Sequence, residues 1–481
     1  MNLPGNAGCT LRGASGLSGA SWRWRLLVIA LPLVIGAVWW PALGASFQFD
    51  DWNVIVNDAR VQSLGAWATS LPGIRPVLKF SYALNHTLGG TVSGFRALNL
   101  LIHACSAMLV AVLFRGRALA AGATPATAAF AGMLVAACFA LHPVQTEAVT
   151  YLSGRSASLA ALFVLCALYA WLRGRAASAD PARARVWSGA ALGAFVLALG
   201  SKETALVLPL LLWLWGATET SGARVRWREL RGFVAGSLAM CVLALFWAPY
   251  RSLLLASLAV RPLWLNALTQ ARAGIYLAQQ LFWPMRLNAD PQLPAVDHAD
   301  LHSVLWLLCW LLLALGALFF RRRWPQACFG VLWFIACLLP TNSLLPRLDV
   351  ANDRQLYLAL LGPAWLLTLA VVRLTDARHW LRWLSLLLVS VLLGAATVHR
   401  NEVYANEIVF WQDVTAQSPR NARAANNLGM ALAIACRDAE AGREFRRSIA
   451  LQPGDYRARI NLRLLESGDL LAPAARHCPP N

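Results

Sequence analysis

The chain has 481 residues, 58% of them hydrophobic and only 14% charged, with a net charge of +19 and a mean hydropathy of +0.53. A soluble protein of this size carries nearly twice that charged fraction, so the composition excludes an ordinary soluble enzyme and points to an all-α, polytopic membrane bundle, whose helices satisfy their backbone inside lipid. The arginines sit in short loops between apolar runs and form no single patch, so the charge reads as membrane topology and not as nucleic-acid binding.

Residues 1–25 are expected to form a cytoplasmic N-terminal segment carrying Arg23 and Arg25. The run 26–46 is long enough to cross a bilayer. It has no clear small-residue cleavage site, so it reads as a retained span and not as a cleaved signal. Phe49-Asp50-Asp51-Trp52 follows at once and opens a polar loop that runs to about Gly94. Charges at a membrane boundary are expensive to hold near lipid and usually face a cavity. Two adjacent carboxylates repel, which separates their proton affinities and lets one act as a base near neutral pH.

Further apolar runs occupy 96–114, 126–141, 156–172, 187–200, 204–217, 233–249, 303–320, 326–340, 356–372 and 383–398. Basic clusters mark one side of them: Arg115/Arg117, Arg173/Arg175, Arg224/Arg226/Arg228/Arg231, Arg321–Arg323 and Arg373/Arg378/Arg382. If all are cytoplasmic, the chain makes about 11 crossings, with 13 as the alternative. The stretch 271–287 then has to be re-entrant, surface-lying or half of a hairpin. The opposite face collects Asp50, Asp51, Asp58, His142, Glu147, Arg155, Lys202, Glu203, Asp353 and Arg354. A multispanning domain over 26–398 with acids and chosen cations on one face is a sided machine.

Three short segments on that face carry chemistry. The loop His142-Pro143-Val144-Gln145-Thr146-Glu147 ends at Ser153-Gly154-Arg155 and brings a second carboxylate, which with His142 and Asp58 would suit an acceptor cleft. Ser201-Lys202-Glu203 offers an ammonium able to hold a phosphate as a point charge. Arg75-Pro76 and Asp353-Arg354 add guanidinium groups, which fork onto phosphate oxygens. No phosphate loop, zinc-protease motif or metal-ligand spacing occurs, so no metal site and no cofactor is expected; a divalent metal has no support in the sequence. Ten cysteines show no ligand spacing; Cys436 and Cys478 would pair if the tail lies in an oxidising compartment.

From His399 the chain turns polar, giving a tail domain over 399–481. Trp411 and Phe445, like Pro419 and Pro453, stand 34 apart, with Leu428-Gly429 and Ala441 between them. This is the tetratricopeptide period and pattern, a helical pair per repeat. One full unit covers about 422–455, and the tail is expected to lean on the membrane domain or on a protein partner.

Together these residues resemble a family. Phe49-Asp50-Asp51 with Asn57-Asp58, Arg75-Pro76, Ala83-Leu84-Asn85, Asn99-Leu100-Leu101-Ile102-His103, Leu141 to Val149, Ser153-Gly154-Arg155, Ser201-Lys202-Glu203, Trp283-Pro284 and Asp353-Arg354-Gln355-Leu356-Tyr357-Leu358 occur in the order found in TMTC-type membrane O-mannosyltransferases, within the GT-C superfamily. The resemblance implies an inverting, mannose-like sugar transfer from a polyprenyl-phosphate carrier to a hydroxyl on protein, at the non-cytoplasmic face. It implies Asp50, the first acidic residue after the first span, as the base; the residue reading itself pairs Asp51 with it and assigns Lys202, Arg354, Arg155 and Arg75 to the donor phosphate and His142, Glu147 and Asp58 to the acceptor side. The alanine- and arginine-rich composition looks bacterial, which implies an inner-membrane enzyme with a periplasmic tail and either protein or an envelope polymer as acceptor. Two rival classes are a lipid-linked sugar transporter or flippase, which would place its polar groups near mid-membrane, and an envelope-assembly scaffold, which would not need Asp50, Glu147, Lys202 and Arg354 on one side.

Overall fold

The computed structural model describes residues 22–220, 225–343, 345–376 and 378–470, so most of the 1–25 segment, and Cys478, lie outside the described residues. Helices make up the whole described architecture, with no strand among the described residues. Seven single helices are long and apolar enough to cross a membrane: Trp24–Gly44, Val92–Ala120, Leu152–Ala176, Pro181–Ser201, Trp227–Phe246, Leu301–Phe320 and His379–Val403. Three bent pairs bring the number to 10 if each is one span. They are Pro125–Leu141 with Pro143–Val149, Ala248–Leu258 with Leu263–Phe282, and Asp353–Ala359 with Leu361–Leu374. Glu203–Ala217 and Pro325–Leu338 are shorter apolar helices. Of the eleven apolar runs expected to cross, seven are single long helices, two are shorter helices and two belong to bent pairs. The run 271–287 falls largely in the second arm of the pair bent by 80°.

Pro125–Leu141 lies at the centre of the bundle. It is apolar on every side and nearly all of it is buried, as expected of a helix with no polar face. Val92–Ala120, Leu361–Leu374 and His379–Val403 pack around it. Small residues let helices approach closely where no hydrophobic drive separates protein from lipid. A Cβ on Gly362 would fall on the Gly330 carbonyl, so that crossing needs glycine on both helices. Leu301–Phe320 stands at the periphery with only 11% of its apolar window buried, the profile of a lipid-facing helix.

The long helices share one polarity of ends. Val92–Ala120 begins beside Phe95, Arg96 and Asn99 and ends at Arg115 and Arg117. Arg155 opens the helix that Arg173 and Arg175 close, and Arg183 and Arg185 lie on the first turns of the helix that Lys202 terminates. The acid-rich loops thus gather at one end of the bundle and the arginine clusters at the other.

Among the described residues the tail forms four helices, Glu407–Gln417, Ala422–Ile434, Asp438–Leu451 and Tyr456–Ser467, each packed on the next. Leu428-Gly429 has a packing reason: a Cβ on Gly429 would strike the ring of Phe445. The first tail helix turns Phe410 and Trp411, with Tyr404 just before it, into a cluster with Tyr151 of the membrane domain. The tail therefore leans on the membrane domain, at its acid-rich end.

Candidate functional site

The acid turn separates its two carboxylates sharply. Asp51 is fully buried. Its carboxylate accepts from the Ser153 N–H and the Ser153 hydroxyl, both at 2.7 Å, and from the Gln48 N–H at 3.1 Å. Burial pushes its pKa up to about 6 against the pull of these bonds. Asp50 is half-buried, and among the described residues its carboxylate makes no hydrogen bond or ion pair. Its N–H donates to the Tyr151 hydroxyl at 3.1 Å. Phe49, just before it, has φ of +47°, a left-handed backbone that a bulky residue adopts only where its surroundings force it.

The loop 142–155 folds back beneath this turn. Gly154 permits it, because a Cβ there would collide with the Glu147 carbonyl oxygen. Glu147 is buried and holds Arg354: its Oε2 accepts the Arg354 N–H at 3.0 Å and its Oε1 lies 3.6 Å from the Arg354 Nε. The Arg354 guanidinium sits 5.8 Å from the Tyr151 ring centroid and within electrostatic reach of Asp50. Tyr151, which sequence reasoning passed over, joins the acid turn to this arginine.

Four cations then converge. Arg354, Arg75 and Arg347 all act electrostatically on Lys202. Arg75 is clamped by Glu203 through bonds of 2.9 and 2.8 Å, and its φ of +52° just before Pro76 is another strained non-glycine position. Lys202 is buried, and its ammonium has no carboxylate within ion-pair distance among the described residues. Burial first, then the three arginines, hold its pKa well below the usual lysine range. Arg347, which no sequence motif singled out, is pushed down to about 10 by burial and by Arg354.

Three expected site residues are engaged elsewhere. Arg155 is fully buried, and each of its three nitrogens is taken: Nε by Asn99 Oδ1, Nη1 by Ser81, and Nη2 by the Phe95 carbonyl at 2.8 Å. It staples the loop helix Pro76–Thr87 to the bundle with four of its five N–H groups, a buried structural engagement in place of the expected donor contact. His142 is a turn residue: Nδ1 accepts the Val144 N–H at 3.2 Å and Nε2 meets the Leu281 carbonyl at 3.1 Å. Asp58 caps a short helix and pairs with Arg60 at 2.7 Å and Lys79 at 3.5 Å. Burial works to raise its pKa, but the Arg60 bonds and Lys79 outweigh it and hold the carboxyl below the usual range.

Two cavities meet at Arg354. One is an open groove lined by Ala157, Ala161, Val164, Val207 and Leu358 together with Lys202 and Arg354. The other is lined by Phe49, Glu147, Tyr151, Asp349, Phe410 and Arg423 among others. The first is apolar with a cationic end, and the second is aromatic and charged. Among the described residues, no three His, Cys, Asp or Glu side chains gather as a metal-ligand group.

Comparison with known proteins points one way. The chain is similar to a mouse protein named Protein O-mannosyl-transferase TMTC3, with 22% identity over 492 residues, 89% of this chain and 51% of that protein. It is similar to a Drosophila melanogaster protein named Protein O-mannosyl-transferase Tmtc2, with 28% identity over 328 residues, 60% of this chain and 32% of that protein. It matches human Protein O-mannosyl-transferase TMTC4 at 34% identity over 141 residues, 25% of this chain and 19% of that protein. The chain spans about half the length, or less, of these curated relatives. No family model matches it, and no solved structure matches it.

Proposed function

We propose that the protein is a membrane glycosyltransferase of the GT-C type, which moves a mannose-like sugar from a polyprenyl-phosphate carrier to a hydroxyl on protein, with inversion. The observation that carries this reading is the pair of cavities joined at Arg354, one apolar with a cationic mouth and one polar. The isoprenoid tail lies in the apolar groove. The phosphate sits against Lys202, Arg354 and Arg347. The sugar and the acceptor hydroxyl meet in the polar cavity, beside Asp50. Asp50 takes the hydroxyl proton as the acceptor oxygen attacks the anomeric carbon. The bond from that carbon to the phosphate oxygen breaks, and polyprenyl phosphate leaves as a dianion. Charge growing on the phosphate in the transition state is what a preorganised cation cluster stabilises best.

In this reading Asp51 holds the acid turn rigid, and Glu147 aims Arg354. The polarity of the helix ends, with arginines opposite the site, supports an N-terminus on the cytoplasmic side and an active face outside. The proposed setting is a bacterial inner membrane, with the tail a short tetratricopeptide module in the periplasm. The relatives' names support protein as the acceptor class. The test is incubation of purified protein with polyprenyl-phosphate mannose and a serine- and threonine-containing peptide. Release of free polyprenyl phosphate with a hexose mass gain on the peptide is expected. No release, with the intact lipid-linked sugar instead crossing the bilayer of proteoliposomes, overturns the enzyme reading in favour of a transporter.

A further inference from the structure

The acid turn is held from two sides. The membrane domain grips it through Ser153 and Tyr151, by the bonds described above. The tail grips it from the other side. Trp411 meets the Phe49 ring edge-on with centroids 5.2 Å apart. The Arg423 guanidinium lies 5.6 Å from the same ring centroid. Glu407 accepts from the Trp52 indole N–H at 3.1 Å. The Ser46 N–H donates to the Ala405 carbonyl at 3.2 Å, so even the backbone leading to the turn is tied to the start of the tail.

Arg423 is itself locked in place. It is paired with Asp290 and, at 2.8 Å, with Asp349, carboxylates from two different loops of the membrane domain. It also lines the polar cavity. One tail side chain thus ties together both loops, the ring of Phe49 and the wall of the cavity.

The strained residue and the free carboxylate are neighbours. Phe49 keeps φ of +47°, a conformation that is strained for a non-glycine residue. Such strain persists only where contacts over-determine it, and here the tail supplies the ring contacts. Relaxation of Phe49 would swing the next peptide unit, and with it Asp50.

We infer that the tail is a working part of the catalytic centre, in which Trp411 and Arg423 act as positioning residues that hold Phe49, itself a wall of the polar cavity, and so fix the direction of the Asp50 carboxylate that follows it, within electrostatic reach of Arg354. This rests on the reading of Asp50 as the base. Neither residue touches the reacting atoms. The sequence motif read as a repeat is, in this light, the scaffold that brings them there.

The experiment uses the full chain purified in detergent and polyprenyl-phosphate mannose without acceptor, with hydrolytic release of polyprenyl phosphate as the rate. The variants are Arg423→Ala, Arg423→Lys, Phe49→Gly and Asp50→Asn. Phe49→Gly is the decisive one, because glycine takes a left-handed backbone without strain while losing the ring that the tail grips. In folded protein, Phe49→Gly and Arg423→Ala are expected to lose about a hundredfold in kcat, the scale of an ångström-level misplacement, with donor KM unchanged. Arg423→Lys keeps the charge facing Asp290 and Asp349 and is expected to recover part of the loss. Parental kcat in folded Phe49→Gly overturns the inference, and so does a raised KM at unchanged kcat. An inactive Asp50→Asn beside a fully active Phe49→Gly removes the positioning role alone. A fully active Asp50→Asn removes the base assignment, and the positioning role with it.

Discussion

Replacing Asp50 by asparagine is the sharpest perturbation the site allows. The amide keeps the shape of the carboxylate but cannot accept a proton. Because the Asp50 carboxylate has no hydrogen bond or ion pair among the described residues, the exchange orphans no buried partner, and stability should stay within about 0.5 kcal/mol of the parent. Loss of general-base catalysis typically costs about a hundred- to ten-thousandfold, equivalent to about 2.7–5.5 kcal/mol of barrier. Asp51→Asn is the control with the opposite profile. There the amide nitrogen must face either the Gln48 N–H or the Ser153 donors. Each buried donor left unpaired costs about 1–3 kcal/mol, so Asp51→Asn should lower the unfolding temperature and reduce turnover less than Asp50→Asn. Initial rates of polyprenyl-phosphate release, measured beside thermal unfolding of the same preparations, separate the two. If Asp50→Asn turns over at close to the parental rate while Asp51→Asn is folded and dead, the base is Asp51. If both turn over normally, the acid turn is structural and the proposed chemistry loses its base.

Asp51 also predicts a pH dependence. Its carboxyl rises from 3.8 to about 6 on folding, so the folded state holds the proton more tightly than the unfolded one. The stability it contributes is present at low pH and is lost as pH climbs from about 4 to about 6, by about 3 kcal/mol at most; the unfolding-temperature difference between parent and Asp51→Asn should shift across that window and be flat above it. Lys202→Ala should weaken use of the lipid donor by about 10- to 100-fold, the loss expected of one charge-assisted contact, in a titration of donor at fixed acceptor. Arg155→Ala should instead destabilise the fold by about 3–5 kcal/mol or prevent purification, because Asn99, Ser81 and Phe95 lose a buried partner, and a folded Arg155→Ala with normal stability but impaired donor binding would restore that arginine to the phosphate site. A cysteine placed at the exposed Gln452 should react with an impermeant thiol reagent in intact cells, and labelling only after lysis would invert the proposed topology.

Much of this protein is legible along the chain because the bilayer is an exacting solvent. Runs such as 303–320 and 383–398 had to become helices, since lipid leaves a backbone no other way to satisfy itself, and the arginine loops marked the ends of those helices. Asp50, Asp51, Glu147, Lys202 and Arg354 stood out for the same reason: a charge beside lipid needs a purpose. What the chain could not reveal is how these groups divide their labour. Asp50 and Asp51 are adjacent and chemically identical, yet one is sealed against Ser153 and the other is free, and only packing makes that choice. Arg155 looked like a phosphate ligand until its nitrogens were found on Asn99, Ser81 and Phe95. Arg347 and Arg423 carried no local signal, because Arg423 acquires its role only by meeting Asp290 and Asp349, 133 and 74 positions away. Periodicity reports which face of a helix is apolar, whereas the partners of a buried charge are set by loops that meet across the fold, and it is those meetings that made one carboxylate an anchor and left the other available.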